Sequence, residues 1–365
     1  MTLHSIRHLL NKKVLILLGA GGVGKTSCSL GLALSIAQTG ARVGLISIDP
    51  AKRLAAAIGL RSGEGLKEIL RPEGSQGRGK VFATMLEPQE VFDEMVRRHA
   101  KSEKAAERIL CHPLYEAASR RLAGPAEYMA LARLRDMINN PELDMVIVDT
   151  PPDQQALDFL SKPDILASFR ENKVMHWLVL PIHMAGKFGA SRLFSVSEKL
   201  MGGLARITGI EALKKMAEFL MLLEQVIDGF HKASEGILET LRSQKTAFLL
   251  VSACHSTSLR TARHLATQLH RQKYPLAGIF FNRCLPDDIR ASLKRTEKQA
   301  NPHPWLKSLQ QRRKMEDEGI ESFLSWSSGS MRPGLLLRIP EQQDCIHSRE
   351  ALCAFSAAFN LDVQN

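Results

Sequence analysis

The run Gly19-Ala20-Gly21-Gly22-Val23-Gly24-Lys25-Thr26 has the form G-x-x-x-x-G-K-T. Residues of these types at this spacing suit the binding of a polyphosphate. Gly21, Gly22 and Gly24, with Val23, let the backbone curl so that its N–H groups converge on an anion. Lys25 would reach the β- and γ-phosphates, Thr26 would offer its hydroxyl to Mg2+, and Ser27 opens the helix whose N-terminal partial charge faces the same anion. Two carboxylates end apolar runs further on. Asp49 follows Val43-Gly44-Leu45-Ile46-Ser47-Ile48, and Asp149 follows Met145-Val146-Ile147-Val148. Asp149 would hold Mg2+ or its waters. Asp49 has two compatible readings. It would orient a water or accept its proton, with a share in the metal site, or it would cap a helix over residues 51–58.

These side chains need a scaffold. The apolar run Val14-Leu15-Ile16-Leu17-Leu18 before the glycines reads as a buried strand, and the small apolar residues 27–37 after them read as a helix. Strand, glycine loop, helix is the context this motif requires. Further strands are expected at 43–48, 81–85, 145–149, 174–181, 246–251, 276–281 and 335–339, with helical patterns between them. Residues 88–140 read as helices broken near His112-Pro113 and Gly124-Pro125, residues 286–325 as basic polar helices, and 348–359 as a last helix. The expected fold is α/β, doubly wound, with a mostly parallel sheet covered on both faces. The expectation is a single P-loop domain over 1–365, with helical insertions at about 88–140 and 185–243 forming a subdomain. Within the second insertion Leu213, Met216, Leu220, Leu223, Ile227 and Phe230 recur at helical spacing. That stripe reads either as ordinary core or as a groove, over residues 213–230, for a hydrophobic client helix.

Composition narrows the class. At 365 residues, 44% hydrophobic and 24% charged, the chain can bury a sizeable core. No stretch approaches the ~18 uninterrupted apolar residues of a membrane span, so a cytoplasmic protein is expected, with peripheral membrane contact left open. The net charge of +11 fits an anionic surface, an acidic partner or simple solubility. No platform of aromatic and basic residues is visible, which speaks against nucleic acid. The six cysteines contain no C-x-x-C pair, which speaks against a disulfide framework or a zinc clasp within the chain.

In combination these segments resemble the ArsA-type ATPases, the arsenite-pump and tail-anchored-protein-targeting ATPases within the group that includes MinD and ParA. The loop is similar to G-K-G-G-V-G-K-T, and Ser47-Ile48-Asp49-Pro50-Ala51 to a switch segment T-D-P-A whose aspartate activates water. The stretch Asp149 to Leu160 aligns with a second switch, D-T-A-P-T-G-H-T-L-R-F-L. Phe281-Asn282-Arg283 looks like the segment whose asparagine reads adenine, and Ile339-Pro340 like one that packs near the base. The resemblance implies ATP and ADP as ligands with Mg2+, hydrolysis that opens and closes a dimer, and a hydrophobic client or membrane-targeting partner. It also admits an oxyanion efflux pump subunit. A MinD-like, slowly hydrolysing scaffold on a membrane or assembly is a reading of another class. Three departures qualify it. Ala20 stands where the family has a lysine that crosses the dimer interface, Gln154-Gln155-Ala156 stand in place of G-H-T, and the dimer-clasping C-x-x-C is missing. A homodimer would then be slow, or a related chain carrying that lysine would complete a heterodimer.

Overall fold

The computed structural model describes residues 6–48, 60, 65–72, 78–115, 126–151, 218–219, 221–223, 226, 236–297, 303–327, 331–342 and 348–359. Asp49, the helix expected at 51–58, the second switch segment beyond 151, the strand expected at 174–181 and most of 185–243 lie outside them. Of the apolar stripe, Leu223 alone is described.

A 3-10 turn, Ile6–Asn11, buries Ile6 and Leu9 and leads into β1, Val14–Leu18. Every residue of β1 is buried, as a continuous apolar run in a parallel sheet must be. Helix α1 follows as Lys25–Gln38. Then come β2 (Arg42–Ser47), β3 (Lys67–Leu70) and β4 (Lys80–Met85). Helices α2 (Pro88–His99), α3 (Glu103–Leu110) and α4 (Ala126–Ile138) precede β5 (Met145–Asp149). The chain returns through β6 (Thr246–Ser252), α5 (Ser256–Arg271), β7 (Leu276–Cys284), α6 (Asp287–Arg295) and α7 (Pro304–Trp326). It closes with β8 (Leu335–Pro340), α8 (Arg349–Ser356) and a 3-10 turn, Ala357–Phe359.

Among the described residues the strands form one eight-stranded sheet in the order β3-β4-β2-β5-β1-β6-β7-β8. All neighbours are parallel except β3 on β4. The expected mostly parallel α/β sheet is therefore present. β3 was not anticipated. Its Lys67 and Glu68 are exposed, and Glu68 pairs with Arg71 and Lys80, so it shows charge where a buried strand shows an apolar run. Charged side chains are how an edge strand discourages further pairing. Lys80 and then Arg71 hold the Glu68 carboxyl below its ordinary range.

The helix α1 is buried nearly all round, which explains its small residues. A side chain at Gly31 would begin within 2.8 Å of the rings of Phe355 and Phe359, and Ser35 donates to the Phe359 carbonyl at 2.8 Å. The chain divides into two compact units. One holds residues 1–86, 133–161 and 238–365, including the eight described strands, and the other holds 87–132 and 162–237. In the second unit α2 and α3 are amphipathic, Tyr115 donates to Asp93, and Phe219, Leu223 and Val226 are buried. Among the described residues no helix is long and apolar enough to cross a membrane.

Candidate functional site

A parallel sheet presents the C-terminal ends of its strands along one edge, and ligands bind where the strand order reverses direction. Here that place is β1, since the chain passes from β1 to β2 on one side of it and later from β5 to β6 on the other. The glycine loop leaves the end of β1 there. Gly22 and Gly24 have φ of 76° and 91°, a left-handed conformation that other residues resist. Gly24 is also crowded, since a Cβ there would stand 2.2 Å from Nδ2 of Asn282. Being a glycine, Gly24 leaves the first turn of α1 without a side-chain cap, so its N–H groups stay available to an anion.

The register brings the other groups in. Leu17 and Ser47 both pair with Asp149, so the carboxylate at the end of β5 lies between the ends of β1 and β2. Asp149 is fully buried. Thr26 Oγ1 donates to its Oδ2 at 2.7 Å, and Ser47 Oγ donates to the same oxygen at 3.3 Å. Thr150 Oγ1 donates to the Leu17 carbonyl at 2.7 Å, tying β5 to β1 just past the carboxylate. Lys25 is buried, and its Nζ donates to the carbonyl oxygens of Gly19 and Ala20 at 3.0 Å each. Cys28, one turn into α1, is fully buried. Burial first, then the Asp149 carboxylate, push its thiol up, so it stays neutral.

Asn282 is buried at the end of β7, and its Nδ2 donates to the Val23 carbonyl at 2.8 Å. The β7–β8 register shifts between Phe281 and Cys284, a bulge, and Arg283 within it has φ of 58°. Bulges re-aim side chains next to sites. Pro340 pairs with Cys284, which puts it beside the same bulge.

The expected residues thus fall into three places. Gly21, Gly22, Val23, Gly24, Lys25, Thr26 and Ser27 form the loop and helix start, with Gly21 and Gly22 exposed. Asp149 bonds directly to Thr26, and Asn282 to the loop. Asp49 lies outside the described residues, just beyond the strand that ends at Ser47. Sequence reasoning missed Ser47 as a partner of Asp149, although its place at a strand end two residues before Asp49 was a signal. It also missed that Cys254 and Cys284 meet, with sulfurs 3.7 Å apart.

The donor set suits Mg2+, since a buried carboxylate and a hydroxyl are hard oxygen ligands at a converging point. The chain is similar in sequence to known proteins. The sequence profile of the anion-transporting ATPase family, ArsA, matches residues 12–314. ATPase GET3 of Malassezia globosa is 27% identical over 269 residues, 73% of this chain and 71% of that one. ATPase ARSA2 of Chlamydomonas reinhardtii is 25% identical over 341 residues, 93% of this chain and 81% of that one. ATPase get3 of Schizosaccharomyces pombe is 30% identical over a shorter 168 residues, 45% of this chain and 47% of that one. With a glycine loop, Lys25, Thr26 and Asp149 assembled as such a fold requires, the chain belongs to the ArsA family of anion-transporting ATPases.

Proposed function

We propose that the chain hydrolyses ATP with Mg2+ and uses the cycle to open and close a dimer that handles a hydrophobic client. The observation that carries the first part is the 2.7 Å bond between Thr26 and the buried Asp149, beneath a loop on which Lys25 is folded back. Thr26 and Asp149 would hold Mg2+, which neutralises charge on the β- and γ-phosphate oxygens when bound. Lys25 would exchange the carbonyls of Gly19 and Ala20 for phosphate oxygens. The loop N–H groups would fix the chain of phosphates, Asn282 and Pro340 would border the base, and Asp49 would orient the attacking water.

Ala20 favours a refinement. It is half-buried and packs against the core cluster, so this loop offers no second cation. A cation on the transferring phosphoryl is worth about 10³-fold or more in rate. A homodimer should therefore be slow, and a related chain with a lysine at this place would complete a heterodimeric site. Client uptake rests on the resemblance to targeting ATPases. Phe219, Leu223 and Val226, within residues 213–230, are buried, so exposing these three would need a rearrangement driven by ATP.

The test is the steady-state ATPase rate against protein concentration for wild type, Ala20→Lys and Asp49→Asn. A slow wild type, a faster Ala20→Lys and an inactive Asp49→Asn that still binds ATP are expected. An Asp49→Asn protein as fast as wild type would refute the assignment, and a fast wild type unchanged by Ala20→Lys would remove the heterodimer. Binding of a synthetic transmembrane-segment peptide, with and without ATP, tests the client. Sedimentation with anionic vesicles but not with the peptide would replace it by the membrane-scaffold reading.

A further inference from the structure

Cys254 and Cys284 are 30 residues apart in sequence and belong to no spaced motif, yet their sulfurs are 3.7 Å apart. They lie at the ends of neighbouring strands, Cys254 two residues past β6 and Cys284 closing β7. Both backbones are fixed. Helix α7 approaches so closely that a Cβ at Gly319 would stand 2.6 Å from the Cys254 carbonyl. The Cys284 carbonyl accepts from Glu341 N at 2.8 Å, and the next N–H, Leu285, donates to Glu316. Arg312 donates to the Arg283 carbonyl at 2.9 Å. The sulfurs need to approach by roughly 1.7 Å to reach the ~2.05 Å of a disulfide, which side-chain rotation can supply.

Access is unequal. Cys254 is half-buried and lines a cavity of about 480 Å3 with His255, Arg283, Arg312 and Met315. Cys284 is buried, and its hydrogen bond with Cys254, then burial, push its thiol up. An oxidant therefore meets Cys254 first.

We propose that Cys254 and Cys284 form a redox site that a small disulfide closes into an intramolecular bond, loosening the hold on nucleotide. The Cys254 thiolate attacks one sulfur of oxidised glutathione, giving a mixed disulfide and one glutathione thiolate, which takes up a proton. The Cys284 sulfur then attacks the Cys254 sulfur, and the second glutathione leaves with the Cys284 proton. Two cysteines are oxidised, and one glutathione disulfide is reduced to two thiols. The link to nucleotide, which rests on the function proposed above, is local. Cys284 Sγ donates to the Phe281 carbonyl at 3.2 Å, and a disulfide has no proton to give. The next residue is Asn282, whose amide holds the loop at Val23. Weakening that one bond should lower affinity for ATP about five-fold. Transient disulfides of this kind are the ones a reducing compartment tolerates.

The experiment treats the full chain with oxidised glutathione, alkylates remaining thiols and maps peptides by mass. A peptide pair joined through Cys254 and Cys284, lost on dithiothreitol, is expected. In Cys284→Ser, glutathione should accumulate on Cys254, and in Cys254→Ser, Cys284 should stay reduced. A wild type that retains glutathione on Cys254 without closing, or that leaves both thiols reduced, overturns the site. A fluorescent ATP analogue is then titrated into reduced and oxidised protein. Equal affinity in both overturns the coupling, whereas reduced protein that binds no nucleotide refutes the proposed function and leaves the cross-link result standing.

Discussion

Glu316 is the residue whose loss should cost the nucleotide-binding unit most for its size. It is buried on α7, and its two carboxylate oxygens accept from Leu285 N at 3.1 Å each, from Arg290 Nη1 at 2.9 Å and from Arg312 Nε at 3.2 Å. In Glu316→Ala the Leu285 N–H loses its partner, a cost of about 1–3 kcal/mol. The buried Arg290 guanidinium loses one carboxylate and keeps Asp317, whose side chain is 30% exposed. Stranding a buried charge completely costs about 3–5 kcal/mol, so partial relief places this share near the lower end or below it. The two contributions overlap in one network, and a total of about 3–4 kcal/mol follows. For a unit of this size that is a fall in Tm on the order of 10 °C. Urea unfolding followed by tryptophan fluorescence reads it, because Trp305 and Trp326 sit on α7 itself. The double variant Glu316→Met with Arg290→Met should recover the share that belongs to the stranded Arg290 guanidinium, while the Leu285 N–H stays without its carboxylate. A single variant within about 1 kcal/mol of wild type, or a double variant no better than the single, would refute this account of the network.

Gly24→Ala should fold and lose nucleotide binding. Its φ of 91° is strained for alanine, and the new Cβ would displace Asn282 from the loop. Equilibrium titration with a fluorescent ATP analogue checks this, and wild-type affinity would contradict it. The second unit should weaken in alkali. The Tyr115 phenol is pushed up by burial first and then by Asp93. A folded value above the unfolded one means stability that is present below the ordinary tyrosine value of ~10 and lost as pH rises past it. In Tyr115→Phe the melting temperature should therefore fall less steeply between pH 9 and 11, read by circular dichroism, and an unchanged slope would contradict the role of this pair.

What the sequence disclosed follows from which contacts are local. β1 and β5 are buried on both faces, so their apolar runs are unbroken and their bounds were legible. The glycine loop was legible because its job is written in consecutive residues. β3 was not, because an edge strand carrying Lys67 and Glu68 looks like any polar loop. The bond between Asn282 and Val23 spans 259 positions, and only the strand order brings the two together. The cysteines were read from spacing alone, and spacing does not say that β6 and β7 are neighbours.

The bulge at the end of β7 explains why so much converges on three residues. A regular strand would alternate Phe281, Asn282, Arg283 and Cys284 between the two faces of the sheet. The left-handed turn at Arg283 breaks that alternation. Asn282 reaches the loop while Cys284 faces Cys254 and remains buried. Such a backbone is unfavourable for arginine and persists only where its surroundings hold it. Those surroundings are visible, with Arg312 on the Arg283 carbonyl, Glu316 on Leu285 N, and Glu341 N on the Cys284 carbonyl. Arg312 in turn bonds to Glu316 and Glu341, so one network on α7 and the end of β8 secures the whole turn. It follows that the Glu316 network is more than stability. Loosening it should be felt at the loop through Asn282, so Glu316→Ala should lose ATP affinity at temperatures where it is still fully folded.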